Sequence, residues 1–290
     1  MTPVLGIICE KKGIRSVREL SLAEYEEYRQ ATKRLNNFLK DQELMVTVQR
    51  DYDEYKNLLR PYAVEYSKGV TPQLLPMGTL PSEVNKYIKN FLYSIRTFLD
   101  HTETNLKRRY GKNSERFNDF KKACSEAYDN NFSYKFIYKL RNYVQHCGMP
   151  PSQLNFSKKI IDRQAQKIGT AIQISLDRDE LLTKYEWTTT VEAELRQQPE
   201  KIDIEHHMSE MLRCLHQINL KLIKRDLQNI VLSAQRVEQL ILPLRSLIES
   251  DQCTPIIFHQ VEKHSTGVDL SFEHIPVEQL KLFNDLHLGN

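Results

Sequence analysis

The residues of this chain with most to offer chemically lie in one short run, Arg141-Asn142-Tyr143-Val144-Gln145-His146. At 100° per residue, Arg141, Asn142, Gln145 and His146 share one side of a helix with Ser133, Tyr134, Lys135 and Tyr138. Phe132, Phe136, Ile137, Leu140, Tyr143, Val144 and Cys147 fill the opposite side. The polar side joins an imidazole that titrates near neutral pH to a guanidinium that keeps its charge, with amides and phenols between them. That set suits proton transfer beside an anion, with His146 as general acid or base and Arg141 as the fixed cation. The same Arg-then-His spacing recurs at Arg96 and His101. There the histidine borders the apolar face, and the pair reads as coincidence. Other clusters read as structural. Asp177-Arg178-Asp179-Glu180 has the form of a helix cap rather than a metal-binding DxD. His206 and Glu210 share a helix face with only His216 near as a third ligand, and Asp203 before them reads as a cap. Cys147 falls on the apolar face, where a thiol is inert.

The run from Arg141 to His146 resembles the RxxxxH signature of the HEPN superfamily (higher eukaryotes and prokaryotes nucleotide-binding). Asn142 supplies the polar residue after the arginine, and the motif ends an amphipathic helix just before Gly148-Met149-Pro150-Pro151, downstream of two other helices. The resemblance covers about residues 81–151 closely and the helices to about 249 loosely. It implies a four-helix module that dimerises with its two motifs facing each other. It also implies a metal-independent endoribonuclease without a cofactor, of the kind found among toxins and anti-phage defence effectors. In that scheme two His146 side chains act as base for the 2′-hydroxyl and acid for the departing 5′-oxygen, leaving a 2′,3′-cyclic phosphate and a 5′-hydroxyl. Arg141 neutralises the phosphorane oxygens, and Asn142 orients the phosphate or the histidine. Expected substrate contacts are Tyr138, Gln145 and Lys135, with Arg108 and Arg109 from the basic stretch between residues 105 and 122. The implied partners are RNA, a second copy of the chain, and a cognate antitoxin or regulatory protein. Where one variant of the family carries a tyrosine two residues after the histidine, this chain has Gly148. Nucleotidylation at that place is therefore not expected.

A helix has to present this face, and the sequence marks its limits at Phe132 and Cys147. Before it, Glu83 to Gly111 carries Val84, Ile88, Phe91, Leu92, Ile95, Leu99 and Leu106 on one face, and Ser114 opens a helix to about Asp129. Further upstream, Ser21-Leu22-Ala23-Glu24 reads as a capping box. The stripe Tyr28, Ala31, Leu35, Phe38, Gln42, Met45, Gln49, Tyr52, Lys56, Leu59 follows, and Pro61 should kink or end it. Pro72, Pro76 and Pro81 mark a linker. Downstream, Ile168 to Leu176 alternates weakly as a strand, and a very long helix begins at Asp203. Its Leu220, Ile223, Leu227, Ile230, Ala234, Val237, Ile241, Leu244 and Ile248 form a heptad seam. Thr254–Glu262 and Val268–Phe272 around Ser265-Thr266-Gly267 read as a hairpin. The expected fold is mostly α, a HEPN-like helical bundle with an N-terminal helical arm and a small C-terminal β-hairpin. Its divisions are the arm (1–70), a Pro-rich linker (71–81), the HEPN-like domain (82–250) and the hairpin with its tail (251–290).

Composition narrows the other classes. Nine glycines and eleven prolines in 290 residues leave few tight turns for a β-sandwich or barrel. The glycines are too dispersed for a P-loop or a dinucleotide fingerprint. Forty-one basic against 38 acidic residues, a net charge of +3, give no general affinity for polyanions. Five cysteines without a CxxC pair argue against structural zinc, and their odd number against a disulfide framework. A mean hydropathy of −0.55 and the lack of any 18-residue apolar run point to a soluble, cytoplasmic protein with no membrane partner. The alternative to a nuclease is a non-catalytic helical scaffold or regulator. It would hold protein or nucleic-acid partners along the Leu220–Ile248 seam and the N-terminal arm.

Overall fold

The computed structural model describes residues 2–10, 13–72, 75, 78–150, 152–162, 167–251, 253–264 and 267–288. Pro76 of the expected linker, Pro151 of the stop signal and the Ser265-Thr266 turn lie outside them. In chain order the elements are β1 (Val4–Cys9), β2 (Gly13–Glu19), α1 (Leu22–Ser67), α2 (Leu80–Tyr110), α3 (Glu115–Asn130), α4 (Phe132–Cys147), β3 (Ser152–Asp162), β4 (Lys167–Asp177), α5 (Arg178–Lys184), α6 (Thr189–Arg196), β5 (Lys201–Asp203), α7 (Ile204–Ile241), α8 (Arg245–Asp251), β6 (Thr254–His264), β7 (Gly267–His274) and α9 (Val277–Leu288). The chain is mostly α. No helix among the described residues is long and apolar enough to cross a membrane.

Two compact units divide the chain differently from the boundaries drawn on sequence. One is continuous, Glu43–Leu222, and the other joins residues 1–42 to 223–290. α1 and α7 each give one part to each unit. No residue is buried in α1 between Phe38 and Met45, or in α7 between Asn219 and Ile230.

In the continuous unit, α2, α3 and α4 pack pairwise and are bounded by local chemistry. Ser114 Oγ accepts the Phe117 N–H at 3.2 Å, and Asn131 Oδ1 accepts the Tyr134 N–H at 3.0 Å. The amides of Gly111 and Gly148 close α2 and α4 by donating to the carbonyls of Lys107 and Val144. The buried faces of these helices meet around Phe91, Phe98, Phe120, Phe136 and Tyr143. Trp187 is buried here too, its indole N–H donating to the Leu181 carbonyl at 2.8 Å. β3, β4 and β5 form an antiparallel sheet in that order. Of these strands only β4 was expected. Asp177 caps α5 through the Glu180 N–H at 2.9 Å, and Asp203 caps α7 through the Glu205 N–H at 3.0 Å. Both carboxylates act as the caps the sequence suggested.

α1 corrects the sequence reading in two ways. It runs through Pro61 to Ser67. Pro61 and Asn57, whose carbonyl loses its donor there, are both exposed, so water can take the freed acceptor. Its second half buries Met45, Val48, Tyr55 and Leu59, whereas Lys56 is exposed.

The discontinuous unit contains the larger departure. β1 and β2 occupy the start of the expected helical arm (1–70), which is therefore not helical throughout, and the sheet order is β2-β1-β6-β7, antiparallel throughout. β6 and β7 are thus not an isolated hairpin, because β1 pairs with β6 from Val4↔Phe258 to Ile8↔Thr254. Leu5, Ile7 and Cys9 of β1 bury with Tyr28, Ala31, Leu35 and Phe38 of α1 and with Ile230, Ala234, Val237 and Ile241 of α7. From Ile230 to Leu244 the heptad seam is therefore core within this unit, with Ile223 and Ile248 packed half-buried against it, whereas Leu227 is half-buried and Leu220 exposed. At the end of β1, Cys9 is disulfide-bonded to Cys253, 244 positions away, with their Cα atoms 4.4 Å apart. That corrects the expectation from the odd cysteine count. One pair forms, and Cys124, Cys147 and Cys214 stay free.

Candidate functional site on the seam between α2 and α4

The polar side of α4 is two surfaces rather than one. Its first turns are covered, with Ser133, Tyr134 and Lys135 each 6% exposed or less. Ser133 Oγ is hydrogen-bonded to His207 Nδ1 at 2.8 Å. Lys135 was expected to contact substrate, and the structure corrects this. Its ammonium donates to a carboxylate oxygen of Glu194 on α6 and to the Asp129 carbonyl. A buried cation requires such a partner, and α6 brings it. Only the second half of the helix, from Tyr138 to His146, keeps a polar face toward solvent.

There Arg141 is half-buried. Its Nη1 donates to Gln145 Oε1, and to Asn142 Oδ1 at 3.4 Å. Its guanidinium lies 5.9 Å from the ring centre of Tyr93 on α2. Nε of Arg141 is buried without a hydrogen-bond partner. Among the described residues no carboxylate pairs with this arginine, and its protein partners are two side-chain amides and a ring. Asn142 and Gln145, both expected at the site, are positioned as acceptors for Arg141. His146 is exposed on the last turn, five residues and about 7.5 Å of helix rise beyond Arg141. Cys147 is exposed rather than buried, with its thiol donating to the Lys184 carbonyl at 3.3 Å.

One turn back along the same seam the arrangement repeats with the helices exchanged. Arg96 of α2 lies 5.3 Å from the ring centre of Tyr138 on α4 and donates through Nη1 to its hydroxyl. Arg96 Nε donates to Asp100 at 2.7 Å. Burial works against the Arg96 charge, yet the neighbouring Tyr138 and Asp100 outweigh it and hold the pKa above the ordinary guanidinium value. Each ring–guanidinium stack contributes about 0.5–1 kcal/mol at an exposed site. The two stacks share one antiparallel register, in which each step up α2 matches a step down α4. On that register Lys89 falls opposite Gln145.

On the polar side of α4 the structure therefore leaves Gln145 and His146 exposed and Arg141, Asn142 and Tyr138 half-buried. It leaves Lys135 out of this set. It also leaves out Arg108 and Arg109, which lie 12 and 13 residues beyond Arg96 on α2, about 18–20 Å along the helix axis. Sequence reasoning missed Tyr93 and set Arg96 aside, with His101, as coincidence. Their signal was present in Lys89, Tyr93, Arg96 and Lys107, which fall within about 60° of one another on the polar side of α2. His206 and Glu210 gain no further ligand, and no group of three or more His, Cys, Asp or Glu side chains suited to a metal occurs among the described residues. A comparison of the chain with protein-family models, curated proteins and solved structures finds no match.

Proposed function

We propose that the protein is a metal-independent endoribonuclease of HEPN type that acts as a dimer, serving as a toxin or anti-phage defence effector. The observation that supports this best is the presence, on one face of a capped helix, of an exposed histidine and an arginine that no carboxylate among the described residues neutralises. His146 is free to exchange a proton with a ribose hydroxyl or a leaving oxygen. Arg141 holds a positive charge where the phosphorane would develop its negative one. Asn142 and Gln145 keep the guanidinium in place until a phosphate replaces them as acceptors.

The test is RNA cleavage in excess EDTA, with the products analysed for 2′,3′-cyclic phosphate ends. His146→Ala is expected to slow cleavage about 10²–10⁴-fold, and Arg141→Ala about 10²–10³-fold, with the circular dichroism of both unchanged. Cleavage that persists in both variants sinks the site. A non-catalytic scaffold is the second reading, favoured by Leu220 and Leu232, which stand 51% and 55% exposed on α7. It predicts equal growth of cells expressing the wild type and His146→Ala.

A further inference from the structure

The reciprocal stacks on the α2–α4 seam do more than the proposed chemistry demands. A cleavage site needs one phosphate-binding cation, and this seam offers two, each resting on a tyrosine of the opposite helix. Tyr93 is 45% exposed, so its ring faces solvent beside the guanidinium. Among the described residues both arginines are held by side-chain contacts alone. Arg141 is held by neutral acceptors and has an unpartnered Nε. Arg96 is held by a half-exposed i,i+4 ion pair with Asp100, of the kind that contributes little to stability, and by its hydrogen bond to the Tyr138 hydroxyl, which it gives up together with the stack. A phosphate binds a guanidinium more strongly than a ring does, through paired charge-assisted hydrogen bonds. A nucleobase in turn makes a better stacking partner for a tyrosine than a guanidinium that can go elsewhere. The exchange therefore favours a ligand that carries both groups, and on this seam it can happen twice. Arg96 lies three residues from Tyr93 on α2, so the two stacks are separated by about 4.5 Å of helix rise. Successive bases of a stacked strand are separated by ~3.4 Å.

We infer that Tyr93 and Tyr138 receive two successive bases of single-stranded RNA while Arg141 and Arg96 turn to the phosphates beside them. α2 thereby supplies half of the recognition surface. Lys89, unpaired among the described residues and in the same register opposite Gln145, extends the cationic edge toward His146. This rests on the proposed nuclease reading only for the choice of RNA, and the site selects unpaired strands because a duplex hides its bases from both rings.

The experiment measures binding of a labelled single-stranded RNA decamer in EDTA to the full chain carrying His146→Ala, across a salt series. Tyr93→Leu is expected to weaken binding about 5- to 100-fold, and Tyr93→Phe, which keeps the ring, to restore it to within about 2-fold. Arg96→Gln is expected to weaken binding and to reduce the slope of log affinity against log salt by about 0.7. The same sequence as a blunt duplex should bind at least about 10-fold more weakly. Unchanged affinity in Tyr93→Leu and Arg96→Gln, or no RNA binding at all, overturns the inference. Cleavage by the chain with His146 intact whose KM is unchanged by Tyr93→Leu, together with unchanged affinity in the binding assay, removes this assignment and leaves the nuclease standing. Binding through Tyr93 without cleavage by the wild type removes the nuclease and leaves this assignment.

Discussion

Ser133 and His207 lie 74 positions apart in sequence and meet at 2.8 Å in the core of the continuous unit. A serine beside a histidine invites a catalytic reading, but both are only 6% exposed and the rings of Phe132 and Phe136 pack T-shaped against the imidazole. The pair staples α4 to α7. Its consequence is a pH dependence of stability. Burial pushes the His207 pKa down to about 4, with His206 acting in the same direction against Asp203 and Glu210. The folded chain thus binds fewer protons at this site than the unfolded chain, whose histidine titrates near 6.5. The contribution is complete above pH 6.5 and is lost as pH falls from there toward 4. Between pH 7 and pH 5 the loss should be about 2 kcal/mol. Urea unfolding at the two pH values measures it, and His207→Gln should flatten the difference. An equal loss in wild type and variant would place the titration elsewhere. At this scale the sequence displayed the residue types of the site but not their exposure. Lys135 and Arg141 sit on the same predicted helix side, and only the arrival of α6 with Glu194 separates the buried cation from the available one.

The helices that carry the site were legible because their limits are local. Ser114, Asn131, Gly111 and Gly148 each close a helix end through a bond within four residues, and such signals need no knowledge of the fold. β1, β2, β3 and β5 were not legible, since a strand is defined by its partner. β1 is bracketed by β2 and by β6, the latter some 250 residues away. In α1 the 3-4 stripe drifted by one position after Met45, placing Gln49 and Lys56 where Val48 and Tyr55 are buried. Gly148 lets α4 be tested as an element. Its φ of 79° and ψ of −178° lie in a region nearly closed to other residues, and Gly111 at φ 88° and ψ 155° is comparable. Gly148→Ala and Gly111→Ala should each cost roughly 1–3 kcal/mol in thermal or urea unfolding. Under the nuclease reading, only Gly148→Ala, two residues from His146, should also slow RNA cleavage. Equal effects of the two on cleavage would detach the helix end from the chemistry.

At the scale of the molecule, the continuous unit carries the proposed site, and the other is assembled from segments on either side of it. The near-neutral total charge of +3 conceals a seam where Arg141 has no carboxylate partner among the described residues, so bulk composition carried no trace of it. The pairing of β1 with β6 also sets a timetable. In synthesis from the N-terminus, Val4 precedes its partner Phe258 by an interval of about 13–50 s at ~5–20 residues per second. Throughout that interval Cys9 is a thiol without its mate, while Cys124, Cys147 and Cys214 are made before Cys253. Folding of the continuous unit withdraws two of these. Cys214 becomes buried, and burial pushes the Cys124 thiol up to about 11. Cys147 stays at the surface as the rival for Cys9. In oxidative refolding, Cys147→Ser should therefore raise the fraction of chains with the Cys9–Cys253 bridge, as read by peptide mass mapping, and an unchanged fraction would clear Cys147 of that role. A thiol with no part in the proposed chemistry would then govern how many molecules reach the native connectivity whenever the chain folds under oxidising conditions.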